Sequence, residues 1–148
     1  MTFEAVLAAL HIVAILTFVV FASSQAALCR IEWLNAAVVE RLVRLDVIYN
    51  IAGVALLASG IARVLWGVKG ASWYLSQPLF HLKMALVLVM IVLPLVPSRA
   101  FRRWRQQLRA SGALPGAAEV AKIRRLVMVQ SHLLPFVAVI AVFWSRGW

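Results

Sequence analysis

The chain has 148 residues, 64% of them hydrophobic, and a mean hydropathy of +0.94. That composition excludes an ordinary soluble domain and places the chain among integral membrane proteins. Fifteen Lys and Arg against five Asp and Glu give a net charge of +10, and the one cysteine, Cys29, excludes an internal disulfide.

The N-terminal stretch "MTFEAVLAALHIV" has no basic region ahead of its apolar run, and the run is too long for a cleaved signal. It reads as a retained first span over 4–28, carrying His11. A connection with Arg30, Arg41 and Arg44 follows. The second span, 43–66, is uncharged only over 47–62, so Asp46 and Arg63 lie at or inside the membrane zone. Asp46 with Arg44 reads as an interfacial ion pair, with a proton-relay role for Asp46 as the alternative. After the loop "RVLWGVKGASWYLSQP" comes a third span, 78–98, opening "PLFHLKMALV" with His81 and Lys83. The run "SRAFRRWRQQLR" reads as a membrane-surface extension of that span, with Trp104 at the headgroups. "ASGALPGA" then breaks the helix as a linker. The fourth span, 124–145, carries Gln130 and His132. His132 is expected to bond the backbone or a Ser/Thr group of a neighbouring helix.

These elements predict an all-α fold, an integral membrane four-helix bundle forming one domain over 1–148 with a basic cytoplasmic loop at 99–123. Eleven of the Lys and Arg fall in the first and third connections, against four (Arg63, Lys69, Lys83, Arg146) on the other side. The positive-inside bias therefore puts both termini on the outward, periplasmic side of a bacterial inner membrane. The same bias accounts for the net charge, so the basic run is no nucleic-acid patch. The two halves look alike, each opening on a histidine-bearing span; a duplication would make His11 and His81 equivalent.

Ionisable groups inside a bilayer are rare and mark function. On the outward side they are Glu4, His11, Arg63, His81 and Lys83. Two histidines at one depth on facing spans suit a haem b clamp, His11 and His81 ligating the iron, with Arg63 and Lys83 near the propionates. His81 and Lys83 lie about 200° apart on a regular helix, so only one faces the core. Trp66, Trp73, Tyr74, Trp144 and Trp148 read as an aromatic belt, with Trp66 and Trp73 best placed to line a site.

The segments "RLDVIYNIAGVALLASGIARVLWGVKGASWYLSQPLFHLKMAL" and "GALPGAAEVAKIRRLVMV" resemble a family of small predicted bacterial membrane proteins, a domain of unknown function. More distantly, "ALHIVAILTF" and "PLFHLKMALVLV" are similar to stretches of HemJ-type protoporphyrinogen oxidase and the CopD-like membrane proteins. That resemblance implies a four-helix haem b protein, with His11 a ligand and Lys83 and His81 in the redox site. The chain departs from the HemJ pattern at "LPLVPSRAFRRW" and "VQSHLLPF". The expected function is haem-linked redox chemistry in the lipid bilayer, with quinone or another redox partner. The alternatives are an accessory or assembly subunit of a larger membrane complex, and a homo-oligomeric permease for a small solute or metal.

Overall fold

A computed structural model describes residues 3–66 and 70–145, with the side chains of 70, 144 and 145 set aside. The expectations placed on Lys69, Arg146 and Trp148, and on the Trp144 side chain, lie outside the described residues. Four helical spans run antiparallel in chain order: α1 (Phe3–Leu28), α2 (Ala36–Trp66), a third span made of α4 (Pro78–Val92) and α5 (Leu95–Ser111), and α6 (Ala117–Ser145). A short helix, α3 (Gly70–Leu75), joins the second and third. All four spans are long and apolar enough to cross a bilayer. In lipid every peptide group must bond within its own segment, so β-branched runs such as "IVAILTFVV" become helix despite their modest propensity.

The helices extend past the expected spans. Asn35 caps α2, its Oδ1 accepting the Val38 amide at 3.0 Å, so that helix starts well before 43. The third span breaks only briefly at Leu93–Pro94, where proline lacks an amide, and continues as α5. Gly112, at φ +72°, then ends α5 in the left-handed conformation, its amide bonded to the Leu108 carbonyl at 2.8 Å. The expected break at "ASGALPGA" thus falls directly after α5, and α6 begins at Ala117 rather than 124.

α1 lies along α2 and against α6; α6 also packs on α4, and α5 on α2. Gly53 sets the α1–α2 approach, since a Cβ there would stand 3.3 Å from Cε2 of Phe18. Two apolar clusters hold the bundle. One, toward the basic end, joins Cys29, Val39, Leu42, Val43, Phe101, Trp104, Val120, Ile123 and Val127. The other joins Phe18, Ala22, Tyr49, Ala52 and Met90, with the Phe18 and Tyr49 rings 4.3 Å apart. Beyond it, toward the end that carries His11, the only buried residues among those described are Ala14 and Phe80. The bundle is therefore closed at its basic end and loosely packed at the other.

Trp104, expected to meet the headgroups, is turned into the protein core instead. It is wholly buried, and its Nε1 donates to Glu119 Oε1 at 2.7 Å. Arg103 pairs with the same carboxylate, and Arg109 Nε donates to Glu40 Oε1 at 2.8 Å. The two arginines are exposed, so these pairs orient α5 more than they stabilise it. The Trp104 ring supplies the packing. Trp104→Ala is expected to cost about 3–5 kcal/mol, the usual range for deleting a buried tryptophan. Unfolding in detergent should show this, with Trp104→Phe losing clearly less.

Candidate functional site

At the end of the bundle that carries His11, α1 packs on α2, and α4 packs on α6. His11 stands two turns into α1, and its Nδ1 lies 2.8 Å from Ser59 Oγ on α2. The Ser59 hydroxyl is also 2.7 Å from the Ala55 carbonyl, one turn back on its own helix. A serine has one proton to give. When it goes to Ala55, His11 Nδ1–H donates to Ser59 Oγ, and Nε2 keeps its lone pair. Gly60 makes room for this ring, with a notional Cβ 3.4 Å from Cε1 of His11. The half-buried Arg63 lies one turn beyond Ser59.

The third span resolves the choice between His81 and Lys83. His81 is exposed, and so are Met84, Ala85 and Leu88 on its face of α4. Its Nε2 lies 2.9 Å from the Leu75 carbonyl in the preceding connection. Lys83 shares the opposite face with the half-buried Leu79 and Val87, and Met90 on that side is buried. The charges of Lys83 and Arg63 both act on His11. The structure thus pairs His11 with Ser59, places Arg63 one turn further along α2, and sets Lys83 on the less exposed face of α4, opposite the exposed His81. The two histidines are not equivalent in their surroundings. Trp66 is 64% exposed and does not line this group, whereas Trp73 and Tyr74 are half-buried beside the start of α4, with Tyr74 5.8 Å from Phe80.

A second polar group lies deeper, between the two apolar clusters. Gln25 of α1, Asp46 of α2, Ser98 of α5 and Gln130 of α6 are all at least 96% buried, one from each span. Ser98 Oγ donates to Asp46 Oδ1 at 2.6 Å, and Gln25 Nε2 approaches the same oxygen at 3.4 Å. Asn50 Nδ2 donates to the Asp46 carbonyl at 2.6 Å. Arg44 is exposed, so the expected Arg44–Asp46 pair is replaced by this uncharged shell. Sequence reasoning passed over Gln25 and Ser98. Their signal is register: each lies one turn from residues that pack into a cluster. His132 bonds its own helix rather than a neighbouring one, with Nδ1 2.7 Å from the Met128 carbonyl one turn back. Among the described residues no three His, Cys, Asp or Glu side chains gather as a metal cluster.

A family model described as "Predicted membrane protein (DUF2214)" matches residues 3–148. The chain belongs to that family. The match spans both polar groups and all four helices, in agreement with a four-span membrane protein. No match was found among the curated proteins or the solved structures. For this DUF2214 protein the orientation of α4 has a direct check. Nitroxide labels at 81 and 83, with Cys29 replaced by Ala, should report free collision with lipid-dissolved oxygen at 81 and restricted collision at 83. Equal accessibility would refute the orientation described above.

Proposed function

We propose that the His11 end of the bundle binds haem b, or a related acidic macrocycle, through a single histidine. The observation that carries this reading is the His11–Ser59 contact at 2.8 Å, which orients the imidazole through Nδ1 and leaves Nε2 as a ligand nitrogen. A neutral imidazole binds iron without bringing net charge into lipid. Lys83 and Arg63, whose charges reach the same ring, suit carboxylates at the edge of such a ligand. Of this pair of spans, His11 alone would hold such a group, because His81 is exposed on the other face of α4. The group itself supplies one-electron redox chemistry when bound, with a lipid-soluble quinone as the class of partner. In this reading the basic end faces the cytoplasm of a bacterial inner membrane. A reporter fused to either terminus should then be active only on the outer side.

The test is titration of the detergent-purified protein with haemin. A Soret band of single-histidine type is expected, abolished in His11→Ala and retained in His81→Ala. Lys83→Ala should weaken binding roughly tenfold or more, the scale of a lost charge-assisted hydrogen bond. No spectral change on adding haemin, or equal loss in His81→Ala and His11→Ala, would overturn the proposal.

A further inference from the structure

The polar layer around Asp46 has a chemistry of its own, independent of the His11 end. Asp46 is 2% exposed, and its Oδ1 is met by Ser98 and Gln25. Its Oδ2 has no hydrogen-bond partner, and neither do the buried Tyr49 hydroxyl and Gln130 Nε2. Tyr49 lies one turn along α2 and is coupled electrostatically to Asp46. Gln130 lies between Val127, which packs into the cluster at the basic end, and Leu134, which packs against the other. Three orphaned polar atoms thus lie between the two apolar clusters, two on α2 and one on α6, spans that α1 and α5 join. Buried polar atoms are nearly always paired, and each unpaired one carries a desolvation penalty.

The charge is equally unbalanced. The ion pairs of Arg103 and Arg109 engage Glu119 and Glu40, not Asp46. Of the groups around it, Gln25 on α1 and Gln130 on α6 are neutral, and Tyr49 is the titratable neighbour on α2. On α5, Arg102 acts on Asp46 from an exposed position. A carboxylate buried among hydroxyls and amides needs a positive charge beside it. One carboxylate balances one unit of charge, so a divalent ion is disfavoured. The available donors are oxygens, including the Gln130 amide oxygen once that group is turned over, which suits a hard cation.

We propose that this layer binds one exchangeable monovalent cation, either a proton on Asp46 Oδ2 or a sodium ion beside it. The proton source and the sodium source share one chemistry, neutralisation of a buried carboxylate, and two measurements on the detergent-purified full chain distinguish them. The first is the infrared carbonyl stretch of a protonated carboxyl at neutral pH. The second is thermal unfolding in sodium chloride against choline chloride of equal strength. A carboxylic-acid band that Asp46→Asn removes identifies the proton. Absence of that band, with stabilisation specific to sodium and lost in Asp46→Asn, identifies the ion. An Asp46 that shows neither behaviour overturns the proposal. Should Asp46→Asn fail to accumulate, Tyr49→Phe and Gln130→Leu each remove one orphaned partner at similar volume. Each is expected to shift the carbonyl band or to weaken the sodium response several-fold, and no change in either variant refutes the site. Haemin binding plays no part in these readouts, so they stand or fall separately from the His11 reading.

Discussion

The hydrogen bond from Ser98 to Asp46 is the constraint on which the arrangement of this bundle rests. Lipid chains are as apolar as leucine, so helices in a bilayer gain little from burying leucine against leucine. A polar group without a partner there is costly, and that cost distinguishes one register from another. Gln25, Asp46, Ser98 and Gln130 place one such group on each span at the same level. Sliding any helix by a turn would carry its polar residue into an apolar cluster. The layer thus specifies the alignment, much as a single buried polar residue fixes register in a coiled coil. The clusters on either side, centred on Trp104 and on the Phe18–Tyr49 ring pair, then supply close packing.

The two ends of the molecule meet different demands. At the basic end the helices run on beyond the apolar stretches, where water restores the hydrophobic effect. Trp104, Phe101 and Leu42 form a compact core there. At the end that carries His11, the spans contribute little buried surface, and the His11–Ser59 contact joins α1 to α2. Placing the tight core and the ionisable group at opposite ends lets the first support the second without filling it. Gly53 and Gly60 show the same division within α2: the first admits the Phe18 ring of the packed middle, the second admits the His11 ring.

Much of this was legible in the residues. Each of the four spans follows from hydropathy, because lipid leaves a long apolar segment no alternative to helix. The helix starts at Ala36 and Ala117 were not legible from uncharged stretches, since charge stops at the hydrocarbon boundary while the backbone continues into water. The 200° separation of His81 and Lys83 followed from helix geometry alone. Which of them turns inward depends on α1, α2 and α6 as neighbours, and a single helix does not encode that. Trp104 was misplaced because an aromatic beside arginines has the same local sequence whether it meets headgroups or a carboxylate such as Glu119. Gln25 and Ser98 carry no charge and stand in ordinary small-residue company, so only their alignment with Asp46 across three helices gives them meaning.

The ring pair of Phe18 and Tyr49 on one side and the Trp104 cluster on the other enclose the polar layer as a compartment without a standing opening. Exchange of the cation proposed for that compartment with either surface would then be governed by side-chain rotation rather than by diffusion along a channel. Because the packing at the Trp104 side is the tighter of the two, the easier fluctuation is the one toward the His11 end. The molecule is in this sense kinetically one-sided, and its asymmetry comes from how well each cluster is packed rather than from the distribution of charge.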